Sequence, residues 1–414
     1  MIEFTKFTLE NNLRVIVHVD KSTPLACLNI LYDVGARDED ENKTGFAHLF
    51  EHLMFGGSVN IPSFDEPLQM VGGENNAFTT NDITNYYSTV PAENIETMFW
   101  LESDRLLSLA FTDKSLDVQR SVVIEEFKQR YLNQPYGDVW LILRPLVYEI
   151  HPYKWATIGK EISHIENANM EDVKAFFKKH YNPSNAIMVI AGDVDVDQVK
   201  LLAKKWFEPI PIAEKHHRNL PIEPKQTKPK RLTVERDVPA SAIYKVYHMC
   251  ARGDEEYHTV DIISDILSRG NSSRLYKNLI KDKQLFSDLN AYVMGDLDKG
   301  IFVISGKIPD NVIMEDAEKA IIEEVEKLRT ELVGEIELQK CKNKIESSLT
   351  FSETDVLTKA TNLAISELLG SADLINEEIT RYNKVTAEQI KEQANLIIDE
   401  NNCTTLYYLA KNKC

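Results

Sequence analysis

The sequence predicts an α+β protein built from two related domains, and three observations carry that expectation. A chain of 414 residues exceeds what one core usually organises, since about 150 residues per domain is the common scale. Short runs with strand-like alternation recur between longer runs of helical period in both halves. A proline-rich stretch, with Pro209, Pro211, Pro221, Pro224 and Pro229, divides the chain nearly in half. Proline fixes φ and withholds a backbone donor, which suits a semi-extended connector. The expected organisation is an N-terminal domain over 1–208, a linker over 209–230 and a C-terminal domain over 231–414.

The elements follow in order. Leu13, Val15 and Val17 alternate after the polar turn Glu10-Asn11-Asn12, and the run Ala26 to Tyr32 follows Pro24; both read as strands. From Thr44 to Phe55 the period becomes helical, and Gly56-Gly57 stops it. Thr84 to Val90 reads as a strand ending at Pro91, with a long amphipathic helix running on to about Ala110. Thr112-Asp113 offers caps for a helix reaching roughly Arg130. Ala186 to Asp193 reads as a buried strand ending in a turn. The second half repeats the order with a strand over Ser241–Tyr247, a helix over Tyr257–Leu267 and a strand through Phe302–Ser305. Helices over Asn311–Glu331 and Glu335–Phe351 and a closing strand over Thr404–Leu409 complete it, and the repeated order points to a duplication.

Composition narrows the function classes. Hydrophobic residues at 43% and charged residues at 27% are ordinary globular values and exclude collagenous, coiled-coil and disordered chains. With 65 acidic against 47 basic residues and a net charge of -18, the chain lacks the basic surface of a general nucleic-acid binder. Cys27, Cys250, Cys341, Cys403 and Cys414 are odd in number and include no C-x-x-C, so free thiols in a reducing compartment are expected. No apolar run approaches the ~20 residues of a membrane span. Met1-Ile2-Glu3-Phe4-Thr5-Lys6 lacks the form of a secretory signal, so the expected location is cytoplasmic.

The sharpest feature is His48-Leu49-Phe50-Glu51-His52. On a helix, residues at i and i+4 lie one above the other, so both imidazoles share a face and Glu51 sits beside them. Two imidazoles and a further donor can hold zinc with a position left for water, and a nearby carboxylate can take that water's proton. Phe46, Leu49, Phe50, Leu53 and Phe55 surround the motif, and polar groups on so apolar a helix need partners. The third ligand is expected on the segment Ser115–Arg130, where Glu125 and Glu126 stand beside Val118, Val122 and Val123; spacing does not choose between them.

Together, His48-Leu49-Phe50-Glu51-His52 and Ser121-Val122-Val123-Ile124-Glu125-Glu126 resemble the pitrilysin/insulinase family of zinc metallopeptidases, which carry this inverted motif. The similarity extends to Leu9-Glu10-Asn11-Asn12-Leu13-Arg14-Val15, Asn76-Ala77-Phe78-Thr79-Thr80, His151-Pro152-Tyr153 with Ile158-Gly159, and Tyr181-Asn182-Pro183-Ser184-Asn185. It covers the N-terminal half and is weaker beyond, chiefly at Ser272-Ser273-Arg274-Leu275-Tyr276. Within that family the chain resembles small bacterial two-domain members and the metal-bearing subunit of mitochondrial processing peptidase.

The resemblance implies two domains, each a mixed, largely antiparallel sheet packed against helices, forming half of a clamshell-like peptidase. It makes His48, His52 and Glu126 the ligands of one Zn2+ per chain, Glu51 the general base, and Asn76, Ala77 and Phe78 a substrate-binding edge strand. Gln119 falls where the family usually carries an accessory glutamate, so altered tuning of the site is expected without loss of metal. The family's Arg and Tyr, seven apart in the C-terminal domain, fall at Ile280 and Ser287, so that pair is missing; Arg274 and Tyr276 are expected to pack or pair locally. The implied activity is endopeptidase cleavage of peptides or unfolded polypeptide segments. A homologous subunit in a heterodimer would supply the missing pair, or the chain would form a homodimer. The competing classes are a non-catalytic or assembly subunit of a peptidase-like complex and a zinc-dependent binding module. His216-His217 is expected to be solvated, His151, His164 and His180 to be structural, and Cys250 to be a core thiol.

Overall fold

The computed structural model describes residues 1–411, so Cys414 lies outside the described residues. The apolar runs form strands because helices cover their faces. Thr5–Thr8 (β1), Arg14–Val19 (β2), Leu25–Tyr32 (β3), Glu74–Thr79 (β4), Thr84–Pro91 (β5) and Ala186–Gly192 (β6) build one sheet, ordered β1-β2-β6-β3-β5-β4. Only β2 and β6 run parallel; every other pair is antiparallel. Lys230–Arg236 (β7), Ser241–His248 (β8), Asp288–Met294 (β9), Ile301–Ile308 (β10) and Cys403–Ala410 (β11) build the second, ordered β7-β11-β8-β10-β9, with β7 and β11 parallel. Strand for strand this repeats β2-β6-β3-β5-β4, so the two sheets share one topology. The α+β class and the duplication expected from the sequence hold.

The chain divides into two units, and neither is continuous. One contains residues 1–132, 151–221 and 350–377; the other contains 133–150, 222–349 and 378–411. A split into 1–208 and 231–414 differs from this by two exchanged segments. Val356, Ala360, Leu363 and Ala364, on the helix Val356–Leu368, pack on Ile16, Cys27, Leu31, Ile187 and Val189 of the first sheet. The helix Val139–Val147 joins the second unit, where Tyr408 Oη donates to Asp138 (2.7 Å) and Val147 O meets His248 Nε2 (2.9 Å). Sequence order carries no sign of either exchange, because each apolar face would suit either sheet.

The expected linker holds one of the five crossings between units, at 221/222. Its ends are tied down. Arg218 binds Asp38 (2.5 Å) and Asp33 (2.9 Å) in the first unit. Glu223 accepts the backbone N–H groups of Glu149 and Ile150, and Gln226 donates to Cys403 O, in the second. His216 is half-buried with its ring edge-on to buried His180 at 5.5 Å, which corrects the solvated reading; His217 is exposed. Cys250 is half-buried, and burial pushes its thiol up to about 12. No helix of the described residues is long and apolar enough to cross a membrane.

Candidate metal centre

The motif helix, Phe46–Met54, begins where local chemistry forces it to. Gly45 has φ 86°, and a Cβ there would stand 2.7 Å from Ile158 O. Glu39 accepts the N–H of Gly45 and of Ala47, both at 2.8 Å, satisfying donors that a helix start leaves free. His164 Nδ1 lies 2.8 Å from Thr44 Oγ1, so that histidine has the structural role expected of it. Ala47, Phe50 and Met54 turn inward, and Phe50 stacks on Tyr181 with ring centroids 4.8 Å apart. His48, Glu51 and His52 share an adjoining, half-buried face.

The helix Asp113–Phe127 supplies the next group. Thr112 caps it, accepting from Ser115 N at 3.1 Å, and Leu116, Val123 and Phe127 seat it. That register turns Glu126 toward the imidazoles, while Glu125 points outward and pairs with Lys128 at 2.7 Å. Glu126 Oε2 stands 3.6 Å from His48 Nε2 and 3.4 Å from His52 Nε2. Among the described residues, His48, His52 and Glu126 form the one group of three whose donor atoms cluster, all within 4.8 Å. Zinc–ligand bonds of about 2.0–2.1 Å in a tetrahedron place ligand atoms about 3.3–3.4 Å apart, close to the two separations from Glu126, so the donor set suits that ion.

The electrostatics suit the same use. Burial pulls the His48 imidazole down to about 4, so it is neutral near pH 7, as a ligand must be. The His52 hydrogen bond holds Glu126 below the usual carboxylate range. Burial raises Glu51, and a hydrogen bond from Thr79 Oγ1 to its Oε2 (2.5 Å) opposes that rise.

Thr79 closes β4, the outermost strand of its sheet, so Asn76, Ala77 and Phe78 lie on an edge beside the motif helix. Sequence reasoning passed over Thr79, Glu39 and Arg130, whose Nη1 lies 2.9 Å from Glu126 Oε1. The i,i+4 spacing of Glu126 and Arg130 is a legible signal; nothing in sequence joins Thr79 to Glu51. Gln119 is half-buried and makes no hydrogen bond among the described residues, and His48 Nδ1 is buried without a partner there. Arg274 is paired within the second unit, binding Glu337 through two hydrogen bonds (3.0 and 2.7 Å) although that residue is remote in sequence.

Known proteins match the chain in both halves. The family described as Insulinase (Peptidase family M16) matches residues 14–136, and the Peptidase M16 inactive domain matches residues 167–345. The zinc protease PqqE of Helicobacter pylori is 32% identical over 342 residues, covering 81% of this chain and 77% of that protein. The chain belongs to the M16 peptidase family. Among M16 relatives, the zinc protease YmxG of Bacillus subtilis is 23% identical over 97% of both chains. The crystal structure of a protease from Helicobacter pylori superposes with a TM-score of 0.92 at 27% identity, covering 99% of this chain and 100% of that one. The M16 motif helix lies in residues 14–136, while the match named for an inactive domain covers most of the second sheet.

Proposed function

We propose that this M16 protein is a zinc-dependent endopeptidase acting on peptides or unfolded polypeptide segments. The clustering of His48, His52 and Glu126 beside Glu51 carries the reading. Those three residues would hold one zinc ion, which when bound supplies a Lewis acid and a coordinated water of pKa near 7. Glu51 accepts the proton of the attacking water and returns it to the leaving amine. Thr79 fixes that carboxylate by holding one oxygen and leaving the other free. An extended peptide adds to β4 through main-chain hydrogen bonds, with Asn76, Ala77 and Phe78 alongside.

The chain lacks an Arg/Tyr pair at Ile280 and Ser287, so hydrogen-bond support for the developing oxyanion is thin in one chain. A homologous second subunit supplies that pair in this reading. The experiment is cleavage of an unstructured peptide mixture by the zinc-loaded chain, read by mass spectrometry, with Glu51→Gln as control. Cleavage that vanishes in the control supports the peptidase and removes the need for a second subunit. Turnover seen only after a homologous subunit is added supports both. Binding of zinc with no turnover in either setting favours the non-catalytic subunit.

A further inference from the structure

Glu126 is a divided carboxylate. Its Oε2 faces His48 Nε2 and His52 Nε2 at 3.6 and 3.4 Å, while its Oε1 is taken by Arg130 Nη1 at 2.9 Å. The backbone contributes to this arrangement. After Phe127 the winding widens over Lys128–Leu132, the kind of local change that often marks a functional site, and it carries Arg130. The Arg130 side chain is 69% exposed, so the pair adds little to stability. A guanidinium presents several donors in a fixed plane, and such a group orients a carboxylate even where it stabilises little.

We propose that Arg130 is a positioning residue that limits Glu126 to ligation through one oxygen. The inference rests on the metal reading above. Two imidazole nitrogens and Oε2 then make three protein ligands, leaving a position for water and for the substrate carbonyl. If Oε1 were released it would turn toward the ion as an added ligand and crowd that position. Outer partners of ligating carboxylates commonly shift metal affinity or activity by about 10–100-fold. Here the two effects should separate. Removing a cation beside the site favours metal binding, while the second carboxylate oxygen obstructs turnover.

The test uses the full chain loaded with Co2+, whose visible absorption is stronger in four-coordinate sites than in five-coordinate ones. Arg130→Ala should lose several-fold in band intensity, and X-ray absorption of the zinc form should gain one oxygen neighbour. Its zinc affinity, by chelator competition, should be equal to or tighter than the parent's, with peptidase turnover about 10-fold lower or less. Arg130→Lys, which keeps one charged donor, should recover part of the parental spectrum. A parent that binds zinc through His48, beside an Arg130→Ala variant with an unchanged spectrum and neighbour count, overturns this inference alone. A parent chain that binds no zinc, or whose zinc survives His48→Ala, overturns the metal reading and this inference with it.

Discussion

Beneath the motif helix lies a buried ion pair whose two halves should fail differently. Glu102 and Arg105, on the helix Ile95–Ser108, are fully buried, at 0% and 1% exposure. Arg105 Nε donates to Glu102 Oε2 at 2.9 Å and Nη2 to Oε1 at 2.8 Å. The guanidinium lies 4.4 Å from the ring centre of Phe64, 4.5 Å from that of Tyr86 and 5.6 Å from that of Phe55, the residue that ends the motif helix. Breaking such a pair by removing one partner costs about 3–5 kcal/mol. Glu102→Gln strands a guanidinium that cannot lose its charge, so the full cost is expected at every pH. Arg105→Met strands a carboxyl that escapes by taking a proton. Burial already raises the Glu102 carboxyl and Arg105 opposes the rise, so without Arg105 it climbs further.

A pKa raised by folding contributes stability that is present below the unfolded value and lost as pH rises through the folded one. Arg105→Met should therefore cost about 2 kcal/mol near pH 5, and the loss should grow by up to about 1.4 kcal/mol per pH unit toward neutrality. Hydrogen exchange of peptides spanning residues 95–108, followed through a urea titration at pH 5, 6.5 and 8, reads this region separately from the second unit. Equal, pH-independent losses in the two variants, or losses under about 1 kcal/mol, would refute the reasoning.

Glu39→Ala should leave the N–H groups of Gly45 and Ala47 unpaired and cost about 2–4 kcal/mol, read as faster exchange at the start of the motif helix. In the second unit Glu318 binds Arg231, Lys245 and Tyr407, and these partners hold its carboxyl down at about 2 against burial. Its stabilisation is complete above the unfolded value of about 4.3 and lost as pH falls toward 2, so Glu318→Gln should flatten acid unfolding of that unit in circular dichroism. Thr79→Val removes the donor to Glu51 and should lower kcat by about 10–100-fold while zinc stoichiometry, by metal analysis, stays at the parental value. Chelation should lower the melting temperature of the parent, since a ligand bound only to the native state stabilises it by mass action, and should leave His48→Ala unchanged.

Most of the candidate site was legible because helices and strands keep their neighbours close in sequence. His48, Glu51 and His52 share a face through the helical period alone. The strand and helix runs around them needed only alternation, caps and stops, and observed bounds such as Ile95–Ser108 differ from the expected ones at frayed ends. Spacing left Glu125 and Glu126 equal, and only the family resemblance pointed to Glu126. Residues adjacent on a helix point about 100° apart, and only the seat of Leu116, Val123 and Phe127 decides which one turns inward.

By itself, then, the sequence determined the α+β class, the repeated order of elements and the motif helix through local periodicity and local chemistry, and the family resemblance through its motifs. The tertiary structure decided what depends on partners remote in the chain. It chose which sheet the helix Val356–Leu368 covers, joined Thr79 to Glu51, placed Glu39 under the start of the motif helix and divided the oxygens of Glu126 between imidazoles and guanidinium. An apolar face states that it must be buried, and a carboxylate states that it needs a donor. Neither names its partner, because that choice belongs to the packing of the whole unit.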